Sequence, residues 1–156
     1  MLNSDIKKYI DQSVLCWLAT ADTEGFPNVS PKEMFTYQGD DKLLIANIAS
    51  PNTMKNLKVN PKVCVSFVEV FVQKGYKLKG IAKVIKPTNS SFLEKAKALT
   101  IKFGDAYPMN ALIEIEIIKA DPIKAPSYFL FPEETEKDKI HSAIETYRRV
   151  CLDFGV

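Results

Sequence analysis

The sequence holds only one histidine, His141, so a Ser-His-Asp triad would have to use it. His141 follows Ile140 on what reads as the polar side of a helix, a surface position rather than a catalytic one. The three cysteines, Cys16, Cys64 and Cys151, are far apart and odd in number, with no Cys-x-x-Cys pair to suggest zinc or dithiol chemistry. Cys16 and Cys64 lie in apolar runs, where a buried free thiol is the ordinary reading. A reducing, cytoplasmic compartment is the resulting expectation. No apolar run reaches the ~18 residues of a membrane span, and Met1 to Lys8 lack the apolar region of a signal peptide. A formal net charge of +2 is too small to mark a nucleic-acid binder. There is no Gly-x-Gly-x-x-Gly after a strand and no Gly-x-x-x-x-Gly-Lys phosphate loop. With no nucleophile-base set and no metal cluster in view, any redox or transfer chemistry has to come from a bound cofactor.

What the chain does have is a succession of short strands. The 156 residues, 46% hydrophobic and 26% charged, suit one domain over residues 1–156 with a single core. Leu2, Ile6, Tyr9 and Ile10 fall at helical spacing behind Asn3 or Ser4 as cap. Val14 to Thr20 is a first strand, closed by the turn Asp22-Thr23-Glu24-Gly25, and residues 28–37 form the returning strand. Lys42 to Asn47 makes a third. Ser50-Pro51-Asn52-Thr53 opens a short helix, with Ser50 or Asn52 as cap and Met54 and Leu57 inward, ending at Asn60-Pro61. Val63 to Val68 gives the fourth strand. Tyr76 to Val84 alternates with lysines as a half-exposed fifth.

Thr88 or Asn89 can cap a second long helix carrying Phe92, Ala96, Leu99 and Phe103. Ile113, Ile115 and Ile117 alternate with Glu114 and Glu116 as a sixth strand, whose carboxylates read as a solvated face rather than an acid–base pair. Residues 120–126 read as a loop. A last helix over about 135–150 packs its Ile140, Ile144 and Tyr147 stripe on the rest. Six strands joined by tight turns bury both faces most economically by curling into a barrel with helices over its openings, a sandwich being the competitor. The expected class is therefore mainly β with peripheral helices, a six-stranded barrel.

One stretch is suited to an anion. Ser50, Asn52, Thr53 and Lys55 place hydroxyls, an amide and a charge at a helix start, although simple capping explains the same residues.

Leu18-Ala19-Thr20-Ala21-Asp22-x-x-Gly25-x-Pro27-Asn28-Val29-Ser30-Pro31 resembles the opening hairpin of the pyridoxamine 5'-phosphate oxidase-like FMN-binding split barrels. The likeness continues through Leu44-Ile45-Ala46-Asn47 and Ser50-x-x-Thr53-x-x-Asn56-Leu57-x-x-Asn60-Pro61-x-Val63-x-Val65. It ends in Tyr76-Lys77-Leu78-Lys79-Gly80-x-Ala82, and in all spans roughly residues 10 to 120. The resemblance implies a split barrel and a homodimer with FMN at the subunit interface. It makes Ser50, Thr53, Lys55 and Asn56 phosphate-side candidates, with Ala46, Asn47 and Ile48 along the isoalloxazine edge. Pro31, Lys32, Glu33 and Met34 lie on the neighbouring strand. Lys32 is placed to meet the phosphate or the N1–O2 edge, where its charge offsets that of a reduced ring; a plain strand-end lysine is the alternative.

Two departures matter. Thr53 stands where many relatives carry lysine, and the tail Pro126 to Pro132 lacks the Trp-Arg-Leu segment of the true oxidases, so vitamin B6 oxidation is not expected. Tyr128 and Phe129 in that tail either cover a partner's flavin or pack the last helix onto the barrel. The resemblance implies an FMN oxidoreductase passing electrons from a reduced nicotinamide to a small acceptor. A non-catalytic flavin carrier or stress protein, a deazaflavin- or haem-binding relative, and a dimeric scaffold with a decayed site are the alternatives.

Overall fold

The computed structural model describes residues 1–155 and is mainly β, with helices around one curled sheet. The chain runs α1 (Ser4–Gln12), β1 (Cys16–Ala21), β2 (Pro27–Lys32), β3 (Phe35–Gln38), β4 (Lys42–Asn47), α2 (Pro51–Leu57) and β5 (Lys62–Glu69). It continues through β6 (Lys74–Ile85), α3 (Phe92–Phe103), β7 (Ala111–Lys124), α4 (Ser127–Leu130) and α5 (Glu136–Asp153). All strand pairs are antiparallel, in the order β2-β1-β5-β6-β7-β4-β3.

There are seven strands where the sequence suggested six. The expected returning strand over residues 28–37 breaks at Glu33-Met34, so that β2 pairs with β1 while β3 pairs with β4. These two pieces occupy opposite edges of the sheet. A flat sheet of this order would be roughly 29 Å wide at about 4.8 Å per strand spacing. The Cα atoms of Lys32 and Phe35 can be no more than about 11 Å apart. The sheet has to roll until its edges meet, and the Phe35 and Phe67 rings, on β3 and β5, lie 6.3 Å apart across the interior. The Ala46 N–H donates to the Met34 carbonyl at 2.9 Å and secures the crossing.

Two apolar clusters arise from strand alternation. Leu18, Leu43, Ile45, Val65, Phe67, Leu78, Ile113 and Ile115 fill the roll, and α1 closes one opening with Leu2, Ile6, Tyr9 and Ile10. Leu44, Ala46 and Leu112 point the other way and pack under Phe92, Ala96 and Leu99 of α3. The Asn3 side chain caps α1, as its position suggested. The α3 helix starts two or three residues later than expected, because the Asn89 side chain accepts from Ser91 and holds a turn before it.

Other expectations are corrected. Residues 120–124 continue β7 instead of forming a loop. Pro122 is tolerated there because β4 pairs with β7 only as far as Glu116, leaving the later residues on an edge. In α2 the buried positions are Thr53, Asn56 and Leu57 rather than Met54, which is half-buried. In α5 the buried residues are Lys139 and Ala143, whereas Ile144 and Tyr147 remain exposed. A capping box between Thr135 and Asp138 begins that helix. His141 is exposed on it, as expected.

Close packing has two testable consequences. A methyl group on Gly80 would sit 2.2 Å from the Glu116 carbonyl oxygen, at the β6–β7 bulge. Gly80→Ala should lower unfolding free energy in urea by at least about 1–3 kcal/mol; an unchanged midpoint would show that the strands separate freely there. Burial pushes the Cys16 thiol up to about 12, whereas Cys151 is exposed. A thiol reagent should therefore modify Cys151 first and Cys16 only on unfolding, as mass mapping of the labelled protein will show.

Candidate functional site

The crossing at Glu33-Met34 leaves a cleft about 270 Å³ in volume. Of the residues singled out by sequence, Pro31, Lys32, Glu33, Met34, Ala46, Ile48 and Ser50 line it together. The end of β2, the end of β4 and the start of α2 meet here because β2 hands over to β3 at this point. Leu15, Ala49 and Tyr107 complete the wall. Tyr107 comes from the connection 104–110 between α3 and β7, and no local sequence signal links that connection to the rest of the site.

Lys32 is the electrostatic centre. It is only 6% exposed, and its ammonium donates to the Ser50 hydroxyl. Among the described residues no carboxylate oxygen lies within 4.0 Å of its nitrogen. Desolvation by burial draws its pKa below the ordinary lysine value. Its cross-strand neighbour is Cys16, whose raised pKa keeps the thiol neutral. A buried cation without a counterion is costly, and an anion entering from the cleft relieves that cost.

Ser50 occupies the N-cap position of α2 without making a side-chain cap bond, its hydroxyl being engaged by Lys32. The rest of the inward face of α2 continues the pattern. The Thr53 and Ser30 hydroxyls share a hydrogen bond of 3.1 Å, and Asn28 Nδ2 lies 3.5 Å from Thr53 Oγ1 and 3.4 Å from Thr20 Oγ1. Asn56 Nδ2 donates to Thr20 Oγ1 at 3.1 Å. Helical positions 50 and 53 thus meet positions 32, 30 and 28 of β2, and position 56 meets Thr20 of β1, in one polar seam. Thr53 and Asn56 are buried in this seam and do not line the cleft.

The remaining candidates lie elsewhere. Lys55 is exposed on the outer side of α2. Asn47 is buried beside the cleft with its Oδ1 unpartnered, and strand alternation turns it away from Ala46. Tyr128 donates its hydroxyl to the Val72 carbonyl at 2.7 Å, and the Lys74 and Lys139 ammonium groups lie 4.4 and 4.7 Å from its ring centre. Within one chain it fastens the C-terminal arm to the β5–β6 hairpin. Phe129 next to it is 72% exposed and away from the cleft.

An aromatic ring with an anionic group fits these surroundings: Met34, Ala46, Ile48 and Leu15 supply apolar wall, and Lys32 with Ser50 supplies a charged end. Among the described residues there is no group of three or more His, Cys, Asp or Glu side chains placed to hold a metal ion. Among the described residues no helix is long and apolar enough to cross a membrane.

Solved structures share the fold. An FMN-binding protein from Syntrophomonas wolfei subsp. wolfei superposes with a TM-score of 0.67 at 18% identity, over 80% of this chain and 87% of that one. HupZ of Group A Streptococcus gives 0.65 at 23% identity, over 77% and 92%. HutZ, the heme storage protein from Vibrio cholerae, gives 0.60 at 21% identity, over 78% and 92%. No curated protein matches the chain. The rolled sheet is thus a shared scaffold, and the sequence model described as pyridoxamine 5'-phosphate oxidase matches residues 2–124, nearly everything up to the end of β7. On that match the chain belongs to the pyridoxamine 5'-phosphate oxidase family.

Proposed function

We propose that this chain is an FMN-binding oxidoreductase of the cytoplasm, passing electrons from a reduced nicotinamide to a small acceptor. The observation that carries this reading is the buried, carboxylate-free Lys32 at one end of an apolar cleft, with Ser50 beside it. Lys32 and Ser50 receive the phosphate. Met34, Ala46 and Ile48 exclude water from one side of the ring, and the backbone at the end of β4 holds its edge. When bound, FMN would supply the hydride and electron chemistry, so no side chain needs to act as nucleophile. The similar FMN-binding protein from Syntrophomonas wolfei supports a flavin in this scaffold. The heme storage protein HutZ and an F420 reductase on the same fold define the competing ligands. The single histidine lies on α5 and does not line the cleft, which favours a flavin over haem.

The working unit in this reading is a homodimer with the cofactor at its interface. The cleft is smaller than the roughly 300–1,000 Å³ of complete small-molecule sites. It shares Leu15 with an apolar groove along β1 and β5 that contains Val14, Trp17, Phe67, Val70 and Phe71. Trp17 is 47% exposed there. A second copy seated on this groove closes the cleft and covers the indole.

The first test is an absorbance spectrum of the purified protein, then titration with FMN, a deazaflavin and haem. FMN should bind, and Lys32→Met should weaken it about 10- to 100-fold, given ~1.5–3 kcal/mol for a hydrogen bond to a charged group. A colourless protein that ignores FMN overturns the reading. Oxidation of NADH or NADPH with a dye acceptor separates an enzyme from a carrier. For the dimer, Trp17→Glu should halve the solution mass and weaken FMN binding together; a wild-type protein that is monomeric at micromolar concentration removes the shared site.

A further inference from the structure

Tyr107 is a large aromatic residue held at the mouth of the cleft and left 59% exposed. Its side chain packs in neither apolar cluster. The residues around it are fixed. Gly104 ends α3 with φ of +79°, a conformation that L side chains rarely adopt, and turns the chain out of the helix. Met109 packs against the cluster beneath α3. Asn110 fastens the far end of the connection to the end of β4. Its backbone N–H donates to the Asn47 carbonyl at 3.1 Å and its Nδ2 to the Ile48 carbonyl at 2.7 Å.

The connection is therefore pinned on both sides of Tyr107, which lines the cleft together with Ile48. Packing and hydrogen bonding account for Met109 and Asn110, but among the described residues no cluster packing or hydrogen bond accounts for the placement of Tyr107. An aromatic side chain carries a large apolar surface and pairs best with another flat ring.

We propose that Tyr107 is a positioning residue that stacks on the ring system of the bound cofactor and shields it from solvent. The inference rests on the FMN reading of the cleft. Lys32 and Ser50 then fix the anionic end, while Tyr107 fixes the ring from a different segment of the chain. The two contacts together set the direction in which the cofactor lies. The phenol hydroxyl is not required for this role, so phenylalanine should replace tyrosine and leucine should not.

The test uses the full chain loaded with FMN. Its readouts are Kd by ultrafiltration, quenching of flavin emission by iodide, and solution mass. Tyr107→Leu should raise Kd about three- to tenfold, the range expected for losing an aromatic pair. It should also open the ring to iodide, with the mass unchanged. Tyr107→Phe should keep both Kd and shielding close to wild type. A leucine variant with wild-type Kd and iodide quenching, in a protein whose FMN binding still depends on Lys32, overturns the role of Tyr107 and leaves the FMN site standing. A leucine variant whose mass falls along with its affinity makes Tyr107 a subunit contact and also overturns the proposal. A wild-type protein that binds no FMN overturns this inference and the flavin reading together.

Discussion

Two residues, Glu33 and Met34, carry the chain from one edge of a seven-stranded sheet to the other. So short a link forces the sheet to roll, and the roll determines most of the remaining architecture. It creates an interior that α1 closes with apolar side chains, and an outer face of β4 and β7 that needs α3 to cover it. It also brings the end of β2 against the end of β4, two segments that a flat sheet of this order would hold far apart. The cleft is the gap left at that crossing. Its lining comes from both sides of the link, which explains why strand ends and loops, rather than strand middles, make up the site.

The same crossing explains why Lys32 is buried. It points in the same direction as Cys16, its partner on β1, and α2 covers it from above. Much of the inward face of α2 is polar, and its seam with Asn28, Ser30 and Thr20 satisfies hydroxyl and amide groups that would otherwise be stranded next to the apolar interior. Buried polar groups of this kind are tolerated when paired, at a net gain of only about 0.5–1.5 kcal/mol per bond. Lys32 differs in carrying a full charge with a neutral hydroxyl as its partner. That imbalance separates the cleft from the other depressions on the surface.

The C-terminal arm is a different kind of structure. It begins after residue 124, where the family match stops, and it is tied down mostly by polar contacts. Lys74 of β6 pairs with Glu136 at 2.5 Å, while Lys139 and Glu134 pair within the arm at 2.8 Å. Both ammonium groups lie over the Tyr128 ring, a cation–π arrangement that adds about 0.5–2 kcal/mol per contact. Tyr147 meets the Phe71 ring edge-on at 5.8 Å between centres, while Ile144 and Phe129 stay exposed. Screening by salt weakens such contacts more than it weakens the roll, so the arm is the part of the fold most sensitive to ionic strength.

The strands of this protein were legible where alternation is strong, as in Ile113, Ile115 and Ile117, and the helix starts where capping is local, as at Asn3 and Thr135. The motif series from Leu18 to Ala82 carried the family and brought Pro31, Lys32, Ala46, Ile48 and Ser50 into one candidate site. Local pattern could not show the break at Glu33-Met34, because residues 28–37 have the composition of one strand and only pairing divides them. Nor could it show that Thr53 and Asn56 face inward, since helix periodicity favours burying Met54 until a polar strand face is set opposite. Tyr107 was invisible for the same reason. The sequence alone determined the periodicities, the caps and the kinds of side chain available, because those depend on neighbours a few residues away. Only the tertiary structure decided which side chains share a cleft and which charge is left without a partner, because those depend on where a rolled sheet brings its two edges together.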